Sequence, residues 1–267
     1  MKLDLTLLHN DPAWICAAAE ANVERVGVDI ERLDKEHRQG SVTDARIQQH
    51  ELSDLLAINQ HAPTLGRFAR LNSWNQGSVN EIEKALSHGA TFLMLPYFTR
   101  IEEPAAFIKH VAGRAQVILL IETFPAVIRI REILQLDGIS EIMVGMNDLH
   151  LEARTGSPFE ICASPLMDMI AEQVHAKGLK FGFGAVAGLD DDLPVSPDLI
   201  LARMAQLGVT STWISRSLLK SISDPKQLRI EIERIRQRFG YWKNCPADVR
   251  SKALGQLRAE VYPSARI

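Results

Sequence analysis

Two carboxylates that end long apolar segments are the side chains in this sequence best suited to chemistry. Glu122 ends the segment 117–122, and Asp148 ends the segment 142–148. An uninterrupted apolar run of this length is typical of a strand buried on both faces of a parallel sheet. A carboxylate at the end of such a strand loses hydration, and a divalent cation compensates for that loss. For a single acid, a helix cap or a pair with an arginine is the simpler interpretation. Two such acids on neighbouring strands favour a shared metal site.

The types of residue at this predicted site indicate which metal it would bind. No histidine or cysteine accompanies Glu122 and Asp148 at the predicted strand ends. Carboxylate oxygens suit a hard cation such as Mg²⁺ or Mn²⁺ better than zinc. A cation held by two protein ligands keeps open positions for water or for a chelating substrate.

Arg70, at the end of another predicted strand, adds a cationic group to this set. Its planar guanidinium suits a substrate carboxylate, although a structural ion pair with Glu31 or another strand-end acid is the alternative. A cation and an arginine together describe a site for a 2-oxo acid, whose ketone and carboxylate would chelate the metal. Such a site would stabilise an enolate, which is the intermediate that aldol addition and cleavage require.

The elements that position these residues alternate between strand and helix over about 240 residues. Eight such units predict an α/β protein, a closed (β/α)₈ TIM barrel with a C-terminal helical extension. An open doubly wound sheet is the alternative, but no G-x-G-x-x-G follows the first strand. The predicted strands are residues 3–8, 25–31, 66–72, 91–96, 116–122, 142–148, 180–187 and 211–215. The predicted helices are residues 12–21, 54–60, 78–89, 101–111, 125–136, 159–177 with a break at Ser164-Pro165, 197–207, 224–239 and 246–261.

Two local patterns refine these boundaries and the division of the chain. Asp11 and Pro12 are a helix N-cap and a first helical residue, and Ser78 with Glu81 has the spacing of a capping box. We expect residues 1–220 to form the barrel core. Residues 221–267 would add the eighth helix and the extension, either in the same domain or at its oligomer interface.

Composition restricts the class of protein. The 267 residues are 46% hydrophobic and 24% charged with a net charge of −3, so nothing indicates a nucleic-acid partner. The three cysteines lie far apart, which argues against a disulfide framework or a thiolate zinc site. The N-terminus lacks the features of a signal peptide, and no apolar run is long enough to span a membrane. We therefore expect a cytoplasmic protein with small-molecule partners.

In a barrel, the carboxyl ends of all strands converge on one mouth, where barrel enzymes keep their active sites. Gly184 would let a substrate approach the backbone closely, or simply relieve crowding. Arg216 would pair with a distal anionic group of the substrate, or brace the rim. His150 is a candidate base, water-binding residue or supporting residue, with an ordinary loop histidine as the alternative. The residues placed at this mouth are Asp29, Glu31, Arg70, Pro96, Glu122, Asp148, Gly184 and Arg216.

Three segments, residues 89–96, 120–123 and 144–149, resemble the HpcH/HpaI aldolase and citrate lyase β-subunit family. The resemblance extends from about residue 23 to residue 217. It implies the (β/α)₈ barrel of the phosphoenolpyruvate/pyruvate superfamily. It also implies that Glu122, in the I-E-T motif, and Asp148, in the G-x-N-D-L motif, ligate Mg²⁺ or a similar cation. Arg70 matches the arginine that binds the carboxylate of the 2-oxo acid.

The chain departs from that family at the acid–base residues. Asp29-Ile30-Glu31 matches the D-x-E of the second strand, which the pyruvate aldolases follow with a catalytic histidine; here Arg32 follows. The aspartate that partners this histidine is replaced by Ser87. His37 could enter the site from the loop 33–53, although a solvated loop histidine is the simpler interpretation. The resemblance is therefore to a less characterised branch of the family.

The C-terminal extension carries an apolar stripe on its first helix, formed by Leu228, Ile230, Ile232, Ile235 and Phe239. On its own, such a helix most often packs locally over the barrel. In the family that the chain resembles, the eighth helix is often exchanged between subunits of a trimer or hexamer. We predict a homo-oligomer with this extension buried in it, and a monomer in light scattering would contradict that prediction.

The leading functional hypothesis is a divalent-metal-dependent carbon–carbon lyase of the class II aldolase type. It would form or cleave a bond between pyruvate, or a related 2-oxo acid, and an aldehyde or other carbonyl acceptor. Alternatives in the same family are an acyl-CoA lyase and a citrate-forming condensation enzyme. A non-catalytic binding protein that keeps the metal site is another class, as is a metal-dependent hydrolase, which would normally use histidine ligands. The sequence identifies neither the acceptor nor the direction of reaction.

Overall fold

The predicted apolar segments form the eight strands of a closed parallel barrel, and each strand pairs with its neighbours in chain order. The structure is a computed structural model and describes residues 2–33 and 49–262. The predicted TIM barrel is therefore confirmed. The strands are β1 (Asp4–Leu8), β2 (Arg25–Asp29), β3 (Gly66–Arg70), β4 (Phe92–Leu95), β5 (Gln116–Ile121), β6 (Ile139–Val144), β7 (Lys180–Val186) and β8 (Ser211–Ile214).

Helices follow the strands along the chain, and two more form the C-terminal extension. The described helices are α1 (Pro12–Glu20), α2 (Asp54–His61), α3 (Ser78–Ser87), α4 (Glu102–Val111), α5 (Phe124–Ile128), α6 (Ile130–Ile133), α7 (Met146–Ala153), α8 (Pro158–Ala163), α9 (Pro165–Ala176), α10 (Pro197–Gln206), α11 (Arg216–Ser221), α12 (Leu228–Asn244) and α13 (Ala247–Val261). A 3₁₀ turn, Pro225–Gln227, precedes α12. None of the described helices combines the length and the apolar character that crossing a membrane requires.

The local patterns predicted these boundaries with mixed success. The Asp11 carboxylate caps α1 by accepting from the backbone N–H of Ala13, and the break at Ser164 separates α8 from α9. The capping box at Ser78 is wrong, because Ser78 instead accepts from the N–H of Asn75. The predicted helix 125–136 is also wrong as one element: it divides into α5 and α6, which meet at a residue with non-helical backbone angles.

The barrel interior is apolar near its middle and carries a buried ion pair near its amino end. The Arg25 guanidinium donates to both Glu141 oxygens, at 2.7 and 3.4 Å, and each side chain is only 2% exposed. The Ser211 hydroxyl donates to the same carboxylate. Arg25 begins β2 and Ser211 begins β8, so this pair lies away from the mouth, where side chains serve stability. The apolar residues above it are Phe68, Met94, Ile118, Leu120 and Met143.

The C-terminal extension packs against its own barrel. Helix α12 lies on α1 and α10, and α13 lies on α8 and α10. Ile230 does not belong to the buried stripe as predicted: it is 58% exposed, because it lies off the face that carries Leu228, Ile232, Ile235, Phe239 and Trp242. Arg238 and Trp242 both donate to the Asp198 carboxylate on α10. The predicted oligomer stays a prediction.

Candidate functional site

A cavity of about 1000 Å³ opens at the carboxyl ends of the strands, where the barrel topology predicts an active site. Residues at the carboxyl ends of nearly all strands line the cavity, so the cavity lies over the centre of the barrel. The sequence-predicted residues that line it are Asp29, Glu31, Arg70, Glu122, Asp148, Gly184 and Arg216, whereas Pro96 does not line it. The structure therefore brings together the acids, the arginine and the glycine that the sequence singled out.

Glu122 lies one residue beyond β5 and is 3% exposed. One of its oxygens accepts the backbone N–H of Tyr97 at 2.9 Å. Burial raises the pKa of Glu122 well above its ordinary value, and the nearby carboxylates of Glu31 and Asp148 raise it further, against the opposing effect of Arg70. The mouth thus concentrates negative charge around a carboxylate that is poorly hydrated.

Asp148 reaches the mouth from a different element than predicted. Strand β6 ends at Val144, and Asp148 lies in the first turn of α7 rather than at the strand end. The last ladder bond is donated by Gly145 to Ile121, after which the chain turns into the helix. An acid in a first helical turn benefits from the unpaired N–H groups there. The side chain is 7% exposed and lines the cavity, as predicted.

The donor chemistry of this pair fits a hard divalent cation. Two carboxylates provide oxygen ligands, and a cation between them would offset the repulsion that raises the pKa of Glu122. The described residues contain no group of three or more histidine, cysteine, aspartate or glutamate side chains arranged to hold a metal. The rest of a cation's ligands would therefore come from solvent or substrate.

Gly145 gives Glu122 the space that it occupies. A Cβ on Gly145 would lie 2.6 Å from the Glu122 Cβ and closer still to one carboxylate oxygen. We expect Gly145→Ala to displace the carboxylate, to lower cation affinity at least about tenfold, and to cost about 1–3 kcal/mol of stability by overpacking. Calorimetric titration with Mn²⁺ measures the affinity. Gly255→Ala, where an added Cβ meets nothing, is the control; equal affinities in the two variants would contradict the predicted role of Glu122 as a cation ligand.

Arg70 is held at the mouth by two acids of the second strand segment. Its Nε and one terminal nitrogen donate to the Asp29 carboxylate at 2.9 and 2.5 Å, and the other terminal nitrogen lies 3.4 Å from Glu31. Burial alone would lower the pKa of Arg70, but Asp29 and Glu31 raise it above its ordinary value. The guanidinium also lies over the Trp213 ring at 5.4 Å. These contacts use three of its five N–H donors.

Arg32 occupies the position at which the resembling aldolases have histidine, and its described side-chain contact is with backbone. Its guanidinium donates to the backbone carbonyl of His50 at 3.0 Å. The backbone N–H groups of Arg32 and Leu33 donate to the Asn72 side chain, which in turn donates to Glu81. These bonds hold the segment after β2 against the segment after β3.

Two histidines at the mouth were not predicted. His9 follows β1, and His50 packs against the end of β2; both line the cavity. The His9 ring stacks on Trp14 at 5.3 Å, and its Nδ1 accepts the N–H of Asp11. His9 follows a short apolar strand directly, which is a signal that sequence reasoning could have used. His50 has no such signal, because it lies 21 positions from the Asp29 that it contacts.

Because His9 is partly buried, we expect the free energy of unfolding to decrease in acid. Burial lowers its pKa from 6.5 to about 4, with His50 adding to this and Asp11 opposing it. The unfolded chain therefore binds the proton first, so stability falls as the pH drops from about 6.5 towards 4. Because the ring is partly solvated, we expect about 1–2 kcal/mol from this residue. Urea unfolding at pH 7 and pH 5 measures it: His9→Gln should reduce the loss and His61→Gln, an exposed control, should not.

Of the other residues that the sequence singled out, Gly184 and Arg216 line the cavity, whereas His150 and Ser87 do not. Gly184 adopts a positive φ of 59° in β7, which favours glycine, and Arg216 is exposed at the start of α11. The His150 ring contacts the Thr155 carbonyl at 3.2 Å and does not line the cavity. Ser87, the counterpart of the family's aspartate, is exposed and donates to the Lys84 carbonyl. His37 lies outside the described residues.

Comparison with known proteins identifies similarity at the level of the fold. No family model matches the chain, and no curated protein matches it. A solved structure of an HpcH/HpaI aldolase from Desulfitobacterium hafniense DCB-2 has a TM-score of 0.62 at 14% identity, over 92% of this chain and 95% of that one. An HpcH/HpaI aldolase/citrate lyase family protein from Burkholderia cenocepacia J2315 has a TM-score of 0.63 at 13% identity, over 82% and 91%. The citrate synthase SbnG has a TM-score of 0.59 at 18% identity, over 80% and 85%.

These structures agree with the resemblance found in the motifs. At such identities, the similarity establishes the barrel fold that this chain shares with members of the HpcH/HpaI aldolase and citrate lyase family.

Proposed function

We propose that this chain is a divalent-metal-dependent carbon–carbon lyase that forms or cleaves a bond to pyruvate or a related 2-oxo acid through an enolate. The observation that carries the proposal is the convergence of Glu122, Asp148 and Arg70 on one cavity. The fold similarity to aldolases supports it independently.

Each residue has a distinct part in this proposal. Glu122 and Asp148 would hold Mg²⁺ or Mn²⁺, which supplies Lewis-acid polarisation of the ketone when bound. The two remaining N–H donors of Arg70 would bind the substrate carboxylate. Its anchors, Asp29 and Glu31, fix the guanidinium plane so that little ordering is needed on binding. Glu31 therefore contributes to substrate binding through Arg70.

Hydrogen exchange tests the enolate without knowledge of the acceptor. Protein supplied with Mg²⁺ or Mn²⁺ is incubated with pyruvate in D₂O, and the methyl protons are followed by NMR. We expect exchange that stops with EDTA. Absence of exchange with pyruvate, oxaloacetate and related acids at every pH would favour a binding protein instead.

A citrate-forming condensation is the second candidate. The fold similarity to a citrate synthase favours it, as does the exposed Arg216 at the cavity rim, because the product of such a reaction carries several carboxylates. We expect Arg216→Gln to raise the KM for a dicarboxylic 2-oxo acid about three- to fivefold while leaving the KM for pyruvate nearly unchanged. Steady-state kinetics with oxaloacetate and with pyruvate measure both. Equal effects on the two substrates would remove the distal-anion role.

A further inference from the structure

His50 is a buried histidine of the cavity wall that the proposed function does not yet use. It is 6% exposed and lines the cavity beside the end of β2. Its Nδ1 accepts the backbone N–H of Asp29 at 3.2 Å. Its Nε2 is buried and makes no hydrogen bond with any described residue. A buried polar atom without a partner destabilises the folded state, so its retention calls for an explanation.

The bond to Asp29 determines what Nε2 can do. Because Nδ1 accepts a hydrogen bond, a neutral His50 ring carries its proton on Nε2. Burial lowers the pKa of His50, and Arg32 acts in the same direction, whereas Asp29 and Asp54 raise it. The net effect is a pKa below the ordinary value for histidine, which favours the neutral ring at pH 7. Nε2–H is therefore a hydrogen-bond donor and not a base.

The backbone at His50 and on its C-terminal side is held by hydrogen bonds. Arg32 donates to its carbonyl oxygen, and the Asp54 carboxylate accepts from the N–H of Glu51 and from the Asn10 side chain. These contacts tie the segment to the ends of β1 and β2. Holding the backbone limits the positions that the imidazole can take, and a donor with a defined position is the condition for effective electrostatic catalysis.

The barrel places this donor across the mouth from the two carboxylates. Strands β1 and β2 lie opposite β5 and β6 in the closed sheet. A 2-oxo acid held through its oxygens near Glu122 and Asp148 would present its carbon end to the middle of the cavity. A second substrate that approaches that carbon therefore lies between it and the wall that carries His50.

We propose that His50 is a catalytic hydrogen-bond donor, whose Nε2–H binds the carbonyl oxygen of the second substrate. This inference rests on the proposed function. In the addition direction, the enolate carbon bonds to the carbonyl carbon, and the electron pair of the C=O π bond moves to oxygen. The resulting alkoxide is stabilised by Nε2–H and takes its proton from solvent. Cleavage reverses these movements.

Two substitutions separate the donor from the Asp29 contact. His50→Asn keeps an oxygen near the position of Nδ1, so it can still accept from Asp29, but it removes the donor. His50→Gln keeps an N–H near the position of Nε2. Addition of pyruvate to glyoxylate is the probe reaction, because it forms an alkoxide. Decarboxylation of oxaloacetate forms the same enolate without an alkoxide and is the comparison.

We expect His50→Asn to slow the addition about 100-fold more than the decarboxylation, because one oxyanion donor is lost. His50→Gln should lose at most about tenfold in addition. Equal losses in the two variants, or equal losses in the two reactions, would assign His50 a structural role and overturn the inference. His61→Asn, at an exposed histidine, is the control.

A measurement on the wild-type protein tests the inference even if both variants misfold or glyoxylate is not a substrate. The ¹⁵N chemical shifts of His50 at pH 7, in metal-free protein, should show a neutral ring with the proton on Nε2. A cationic ring, or a proton on Nδ1, would overturn the inference. If the wild type catalyses neither pyruvate exchange nor oxaloacetate decarboxylation, the proposed function itself fails, and that result does not depend on His50.

Discussion

Glu122→Gln should abolish metal-dependent exchange of the pyruvate methyl protons, with a loss of at least about 10³-fold. The substitution keeps the size of the side chain and its bond to the Tyr97 N–H, but it removes the charge that a divalent cation requires. Enolate formation without the cation would lose several kcal/mol of stabilisation, and each 1.4 kcal/mol is about tenfold in rate. The exchange assay measures this directly.

Although Glu122→Gln should abolish the exchange activity, it should not destabilise the metal-free protein. Burial, Glu31 and Asp148 raise the pKa of Glu122 above 4.5. The folded state therefore binds the proton more tightly than the unfolded state, and ionisation destabilises the fold as the pH rises above 4.5. A neutral glutamine avoids this cost, so metal-free Glu122→Gln should melt at or above the wild-type temperature at pH 7. Calorimetry with and without Mg²⁺ should show that the variant has lost the metal-dependent rise in Tm.

Glu102→Gln is the matched control, because Glu102 is exposed on α4. It should retain both the exchange reaction and the metal-dependent rise in Tm. Glu122→Gln protein that still responds to Mg²⁺ in calorimetry would contradict the metal assignment, even if its exchange activity were lost.

The sequence was sufficient for the fold because the local signals repeat. Most strands are short, largely apolar segments, and helical patterns alternate with them along the chain, so eight units predicted closure. Boundaries were less accurate where an apolar run continues past the sheet. Residues 142–146 are apolar throughout, yet Gly145 ends the pairing and Met146 already begins α7. Hydrophobic periodicity alone does not mark that change.

Site residues that end a strand or follow it directly could be predicted from the sequence. Residues that reach the site through contacts between distant segments could not. Glu122 and Arg70 follow directly from their strands. The pairing of Arg70 with Asp29 was not specified, since several strand-end acids were available. His50 returns to the mouth from a segment with no strand or helix signal, and only the folded chain shows that it meets the Asp29 backbone. The sequence therefore showed that Arg32 replaces the histidine of the resembling aldolases. It did not show that His50 lies close to Arg32 in the folded chain.

Arg70→Met should both destabilise the fold and prevent binding of the 2-oxo acid, and the two effects can be separated. Removing the guanidinium takes the ion pairs with Arg70 away from Asp29 and Glu31, whose side chains are 19% and 2% exposed. Loss of one partner from a buried ion pair costs about 3–5 kcal/mol, and we expect the lower end because Asp29 reaches some solvent. Urea unfolding measures this loss.

The triple variant Arg70→Met, Asp29→Asn, Glu31→Gln should recover most of that stability, because no buried charge is left unpaired and replacing an ion pair by neutral groups is often nearly neutral. It should not recover pyruvate binding, since the carboxylate still lacks the two N–H donors that Arg70 offers. Isothermal titration with pyruvate in the presence of Mg²⁺ compares the wild type with both variants. Binding that returns together with stability would mean that Arg70 only neutralises the acids of the second strand. Stability that returns without binding assigns to Arg70 a direct contact with the substrate.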